Sequence, residues 1–336
     1  MTGPLPLFAR GMLDDAAVFP PGLAPLPDAV VAHRGHEAAW YGGLVGPLVI
    51  AGSSLGELAE VLRADGAAGD STRGSGDGDS AAGGSAAEGS GAGGVTAAVS
   101  AAGGSAAGGP LRLALTFPGG PARVAEALEA CAALPVSLAA LEIAVPEGME
   151  PGELLAALDT AIPEAAEAAG LEVFVEIPRD TRRDPLLAAL AGTRYQAKFR
   201  TGGVRAELYP DEAELAAAVL TAAEAGVPFK ATAGLHHALR NTDPETGFEQ
   251  HGFLNLLLAA DAAGRGTADR TGAVETIRDL LAERDGAVVA GRVRELGPER
   301  TAAARARFTS FGTCSVTDPL TELAGLGLLT EPGGAA

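Results

Sequence analysis

Lysine is nearly absent from this chain. Of 24 basic residues, only Lys198 and Lys230 are lysine, and the rest are arginine. Cysteine is equally scarce. Cys131 and Cys314 supply neither a disulfide framework nor a thiolate metal cluster, and a reduced, cytoplasmic compartment is expected. Aromatic residues make up 4% of the chain, which leaves the packing to Ala, Leu and Val. Positive charge is also short: 43 acidic against 24 basic residues give a formal charge of −19 over 336 residues. That balance excludes a nucleic-acid binder driven by phosphate neutralisation and argues against docking on anionic membranes. No run approaches the roughly 18 apolar residues that a spanning helix needs. The opening MTGPLPLFARGMLDD lacks the charged region and apolar core of a signal peptide.

Periodicity is missing from residues 64–110, which are Gly, Ser and Ala with scattered Asp. Such a segment cannot offset its ordering entropy, so a disordered insertion is expected there, with a similar tail over 330–336. The rest alternates short β-type runs with helical stretches. The strand candidates are Met12–Val18, Pro47–Ala51, Leu111–Phe117, Leu141–Val145, Leu171–Ile177, Tyr195–Arg200, Pro228–Thr232 and Thr309–Cys314. Helical patterns lie at Asp28–Tyr41, Pro121–Ala133, Pro151–Ala169 and Asp211–Ala225, the last with a start signal at Pro210–Asp211. Alternating β and α with continuous apolar strands implies a parallel sheet covered by helices, and eight such units imply a closed (β/α)8 TIM barrel of the α/β class. Residues 1–63 carry its first two strands and 111–329 the other six. A long, partly helical excursion over about 240–305 follows strand seven, more than one crossover needs.

A barrel of this kind does its chemistry at the C-terminal ends of its strands. Those ends hold Asp14 and Asp15, then Thr116–Gly120, Glu142, Glu176, Lys198 and Arg200 before Thr201-Gly202-Gly203, Lys230 before Thr232, Gly234, His236 and His237, and finally Ser310–Ser315. The two lysines fall on neighbouring strands. Two ammonium groups in one small space repel and are desolvated, so at least one pKa is expected to fall. A neutral amine attacks a carbonyl and forms a Schiff base, whose iminium is an electron sink. Asp14 and Glu142 are placed to shuttle protons. The alternative is that each lysine is only the ion-pair partner of a barrel carboxylate.

These residues resemble the deoxyribose-phosphate aldolase family of class I aldolases. The likeness rests on AKFRTGG around Lys198, PFKATAGLHH around Lys230, SFGTCS on the last strand, MLDDA on the first, LALTFPGG on the third and LEIAVP on the fourth. It covers the barrel strands in order but neither insertion. The resemblance implies Lys198 as Schiff-base nucleophile, Lys230 as the second lysine that lowers its pKa, Glu142 where the family has an aspartate, and Asp14 as the acid of the first strand. It also places Gly202, Gly203, Gly234, Gly312, Thr313 and Cys314 in phosphate-binding turns, where backbone N–H groups cradle an anion.

The chain departs from that pattern at the turns. Val204 and Arg205 follow Gly203 where the family has a lysine. Ala233-Gly234 replaces paired glycines, His236 stands where arginine is common, and Thr313-Cys314 replaces a serine pair. Arg200 shares the inner face with Lys198 and either binds a carboxylate or phosphate or pairs with a barrel acid. His236 is read as a substrate or anion contact. With His237, His251 and Asp14 or Glu176 it could make a metal site, but adjacent histidines diverge on an extended backbone, and no metal or cofactor is expected. Cys314 reads as a small packing thiol and Cys131 as core. Asp14-Asp15 is either a catalytic pair or a turn element, and only one of the two can face inward. His33, His36 and Trp40 are expected at a surface or interface.

The expected function is therefore an aldolase-like lyase acting on a small aldehyde or keto substrate, with or without a phosphate. Self-association is expected, nucleic-acid and membrane partners are not. Two other readings are a barrel that binds an anionic substrate through Lys198, Arg200 and Lys230 with His acid/base, and a non-catalytic sensor or assembly subunit.

Overall fold

The computed structural model describes residues 5–73, 109–266 and 269–331. Eight parallel strands close into a barrel: β1 (Leu13–Asp15), β2 (Val45–Ala51), β3 (Leu111–Phe117), β4 (Val136–Ala144), β5 (Glu172–Glu176), β6 (Tyr195–Arg200), β7 (Phe229–Thr232) and, after a short antiparallel hairpin of β8 (Asn241–Thr242) and β9 (Glu249–Gln250), β10 (Phe308–Thr313), which pairs with both β7 and β1. This is a (β/α)8 TIM barrel. Helices α1 (Leu26–Ala38), α2 (Leu55–Arg73), α3 (Val124–Ala132), α4 (Pro151–Ala161), α5 (Glu164–Ala168), α6 (Arg183–Leu190) and α7 (Glu212–Glu224) lie between the strands in chain order. Between β9 and β10 run α8 (Phe253–Ala263), α9 (Arg270–Ala282), α10 (Gly286–Glu295) and α11 (Gly297–Arg307), and α12 (Thr317–Gly325) closes the chain. Among the described residues, no helix is long and apolar enough to cross a membrane.

Each strand alternates between two environments. Leu48, Ile50, Leu113, Leu115, Leu141, Ile143, Val173, Val175, Ala197 and Phe199 face outward into the main core beneath the helices. The residues between them face the barrel axis, and there Val49, Ala114, Ala140 and Phe174 form a second, inner cluster. Large apolar groups thus fill the helix–sheet layer, and the inner face carries a small apolar cluster beside its polar side chains.

Several boundaries differ from those expected. Strand β1 ends at Asp15, because Ala16 onward turns over the barrel end with Phe19 N–H bonded to Ala16 O. Pro163 lacks the N–H that a continuous helix would need, so the run 151–169 is split into α4 and α5. Helix α2 runs to Arg73, ten residues into the segment read as a disordered insertion, and 74–108 lie outside the described residues, as do 332–336 of the tail. The excursion after β7 is mostly helical. Its α8 has apolar residues on every side and is buried nearly throughout, with Phe253 stacked on Phe311 of β10 at 4.6 Å.

His33 is not at a surface. It is fully buried, and its Nδ1 lies 2.9 Å from Asp15 Oδ2. Asp14 faces inward, so alternation sends Asp15 outward under α1, where a buried carboxylate needs a partner. His33 supplies it, and although burial works against its charged form, Asp15 and Glu37 hold its pKa above the usual value. His36 and Trp40 are partly buried, both beside Tyr41.

Candidate active site

Strand pairing sets Lys198 directly opposite Lys230, and Lys198 also opposite Glu176. All three face the axis, as does Glu142, which pairs with Phe174. Asp14 enters from β1, where Gly46 of β2 makes room: a Cβ on Gly46 would stand 2.2 Å from the Asp14 carboxylate. Lys230 Nζ lies 2.5 Å from Asp14 Oδ2 and 2.5 Å from Glu142 Oε1. Lys198 Nζ lies 2.9 Å from Glu142 Oε2 and 3.0 Å from Glu176 Oε2. Glu142 therefore bridges the two ammonium groups with its two oxygens. Ser310 Oγ donates to Asp14 Oδ2 at 2.7 Å, and the Phe174 ring lies 5.0 Å from Lys230 Nζ.

The four residues expected to carry chemistry, Lys198, Lys230, Glu142 and Asp14, are thus brought into one buried network. The expected fall in a lysine pKa does not occur. Burial works against the charged form of each lysine. For Lys198 that is outweighed by Glu142 and Glu176, and for Lys230 by Asp14 and Glu142, so both pKa values stand above the ordinary 10.5. Three carboxylates face two ammonium groups, and attraction exceeds the repulsion between the amines. Glu142 shows the same balance from the other side. Burial pushes its pKa up, but Lys198 and Lys230 hold it at about 2.

The network has a depth order. Lys230 is fully buried and Lys198 is 8% exposed. Glu176 is more open than Glu142 and contacts Lys198 from the strand-end side, with Arg200 Nη1 3.8 Å from its other oxygen. Lys198 is the amine that a small molecule at the barrel mouth would meet first.

The glycines of the turns after β6 and β7 are packed against side chains. Where a Cβ of Gly202 or Gly234 would project, the edge of the Tyr209 ring already lies at 2.6 and 2.9 Å, and the two glycines pack against each other. Gly203 is closed off in the same way by Leu208. These glycines admit side chains of the segment leading to α7. Arg200 Nε donates to Gly202 O at 3.0 Å, and Thr201 Oγ1 to Ala233 O at 2.7 Å, tying the two turns together. Gly312 is different. It faces the axis opposite Asp14, and a Cβ there would make only ordinary contact with Thr232 and Ala16.

The histidines separate. His236 Nδ1 lies 3.4 Å from both Thr313 Oγ1 and Cys314 Sγ, and burial lowers its pKa. His237 turns to α12, with Nδ1 2.6 Å from Glu322. His251 is buried away from the mouth against Pro210 O at 2.8 Å. Among the described residues, no three His, Cys, Asp or Glu side chains are grouped to hold a metal ion. Two clefts lie to the sides of the network. One of about 550 Å³ runs between the ends of β2 and β3 past Gly52, Thr116 and Gly119, and one of about 470 Å³ lies among α8–α11 beside Asp261 and Arg292.

The sequence presents Glu176 as a strand-end acid and metal-ligand candidate, whereas the structure makes it a partner of Lys198 in the lysine network. The signal was available: in EVFVE it stands at the same parity as Phe174, so it shares the inner face. Ser310, Gly46 and Tyr209 had no local signal, because their roles depend on other strands. No family model, no curated protein and no solved structure matches this chain.

Proposed function

We propose that this barrel is a Schiff-base-forming lyase of the aldolase type that acts on a small aldehyde or ketone, with Lys198 as its amine. The observation that carries this reading is the graded burial of two amines around one carboxylate, with Lys198 on the mouth side and acids on both flanks. Glu176, 3.0 Å from Lys198 and open to the mouth, is placed to accept its proton. The free amine adds to the carbonyl carbon. The proton returns to the carbinolamine oxygen, which leaves as water, and an iminium remains. In a β-hydroxy substrate a carboxylate then takes the proton of the β-hydroxyl, whose oxygen becomes the carbonyl of the first product as the bond between the α and β carbons breaks, and the electron pair of that bond moves into the iminium to give an enamine. Protonation of that enamine at carbon and hydrolysis then release the product and Lys198.

Lys230 has a different part from the one first expected. It anchors Glu142 and Asp14 as carboxylates, so that a fixed negative charge stands 2.9 Å from the nitrogen that becomes the iminium. The anion-clamp reading is less well supported. Lys198 and Lys230 already hold carboxylates, Lys230 is out of reach, and Arg200 is engaged with Gly202 and Glu176.

Incubation with acetaldehyde and borohydride, followed by peptide mapping, tests the proposal. An ethyl adduct on Lys198, absent from Lys198→Arg, is expected. Alkylation of the α-amine with Lys198 untouched across pH 7–10 would overturn it.

A further inference from the structure

The inner face at the strand ends is divided into two unlike halves. On β5, β6 and β7 the last inward residues are Glu176, level with the lysines, and Arg200 and Thr232 above them. On β2, β3, β4 and β10 they are Ala51, Thr116, Ala144 and Gly312, with Ala16 following β1. Only one of these carries a polar group, and none is large. Below them lie Val49 on β2 and Ala114 on β3, while β4 carries Glu142 above Ala140, and β10 and β1 carry Ser310 and Asp14. Phe19, from the turn after β1, packs against this inner cluster together with Ala16 and is itself only partly buried. Its backbone is held by bonds from its N–H to Ala16 O and from Leu23 N–H to its own carbonyl.

A carbonyl carbon at Lys198 Nζ has two substituents to place. Towards β5–β7 each meets a charge. Towards β2 and β3 each meets alanine and the inner cluster on which Phe19 packs, and towards β4 it passes Glu142 to reach Ala144. Towards the lysines an anion meets cations that are already engaged, because Lys198 and Lys230 hold carboxylates and Arg200 holds Gly202 O and lies 3.8 Å from Glu176. We infer that Phe19 and the small residues facing it select the substrate, admitting short, unphosphorylated aldehydes or ketones whose apolar end lies against Ala144 and Ala51 and stops at Phe19. This inference rests on Lys198 being the Schiff-base amine. It adds the substrate class and a residue that sets chain length, which the lysine network does not contain.

Reductive trapping on Lys198 with acetaldehyde, propanal, pentanal and glycolaldehyde phosphate tests it, each rate being read from the mass of the Lys198 peptide. The wild type is expected to take acetaldehyde and propanal and to take pentanal at least about tenfold more slowly, the scale of discrimination one to a few methylenes give in an apolar pocket. Glycolaldehyde phosphate is expected to be slowest. Phe19→Ala should raise the pentanal-to-acetaldehyde ratio about tenfold, Phe19→Leu by less, and Ala144→Leu should lower it below wild type. Melting temperatures of the variants separate a changed pocket from a damaged fold, and the ratio within one variant is insensitive to a common loss. A ratio unchanged in Phe19→Ala, or phosphate-bearing aldehyde trapped as fast as propanal, overturns this inference and leaves the lyase reading standing. A wild type that takes no aldehyde on Lys198, while its α-amine is alkylated, overturns both.

Discussion

Lys198 and Lys230 stand opposite each other on adjacent parallel strands and hold opposite oxygens of the same carboxylate, that of Glu142. One carboxylate between two amines stores charge in a form that one proton transfer can redistribute. It also makes the resting site a salt-bridge network with no free amine, and the first prediction follows from that. Because acids hold the Lys198 pKa above 10.5, the rate of reductive alkylation at Lys198 should rise about tenfold per pH unit and still be rising at pH 10. The α-amine, measured in the same digest, should level off near its ordinary pKa of about 8. A plateau for Lys198 near neutrality would mean that the amine is already free and that the acids do not control it.

Glu142→Gln removes the bridging charge. Lys198 then keeps only Glu176 and Lys230 only Asp14, and the two ammonium groups face each other across a neutral amide. The pH profile of Lys198 alkylation should shift to lower pH. Breaking a buried ion network on one side costs about 3–5 kcal/mol, so a large fall in urea midpoint should accompany the shift. An unshifted profile would show that Glu142 does not set the Lys198 pKa.

Thiol chemistry probes the mouth from another side. Burial pushes the Cys131 thiol up to about 11 and raises that of Cys314. His236 lies 3.4 Å from Cys314 Sγ, which is also the geometry of a thiol–base pair. With the pKa raised, both thiols should react slowly with a disulfide reagent at pH 7.5 and quickly after unfolding. A fast-reacting Cys314 in the folded protein, slowed by His236→Ala, would instead assign the pair a chemical role.

The sequence exposed the barrel because its strands are continuous apolar runs whose length and spacing need no tertiary information. Tyr195–Arg200 and Leu111–Phe117 coincide with β6 and β3 to the residue. It also placed Lys198, Lys230, Glu142 and Asp14 at strand ends, from which parity alone puts them on one face. What it could not expose depends on contacts between distant segments. The pKa direction of each lysine turns on which acids reach it, Glu142 and Glu176 for Lys198 and Asp14 and Glu142 for Lys230. The packing of the glycines of TGG and AGL on Tyr209, which lies between them in sequence, has no local signal. His33 read as exposed because its helix has no sharp apolar face, and only the outward turn of Asp15 accounts for its burial.

The helical excursion after β7 hinges on Asn255. Fully buried on α8, it accepts from Arg240 N–H at 2.9 Å and donates to the carbonyls of Leu280 and Glu283 at 2.8 Å each, so one side chain joins the hairpin, α8 and the end of α9. Asn255→Leu leaves three backbone groups without partners, at about 1–3 kcal/mol each. A loss of about 3 kcal/mol or more in unfolding free energy is expected, with Lys198 alkylation unchanged in the fraction that remains folded. A loss below about 1 kcal/mol would mean that water replaces the amide and the excursion is held elsewhere.

Among the groups through which acid acts on the fold, His251 and Glu142 titrate in successive windows. Burial drives the His251 pKa from 6.5 down to about 4, so the unfolded chain binds this proton before the folded one does. Its stabilising effect is complete above pH 6.5 and is lost as pH falls towards 4, with a slope on the order of 1.4 kcal/mol per pH unit. Glu142, held at about 2 against 4.5 when free, contributes stability that is complete above pH 4.5 and lost towards pH 2. His33 and His237 have raised pKa values and work in the opposite direction, gaining stability as pH falls through their own titrations. The wild-type curve near pH 6 therefore mixes both signs, and a difference measurement is needed. His251→Gln should cost stability at pH 7 and progressively less at pH 5.5 and 4.5, so that the gap to wild type in urea-derived unfolding free energy narrows with acidity. A gap that stays constant from pH 7 to 4.5 would show that His251 protonates equally in the folded and unfolded chains, and that its burial against Pro210 does not depress its pKa.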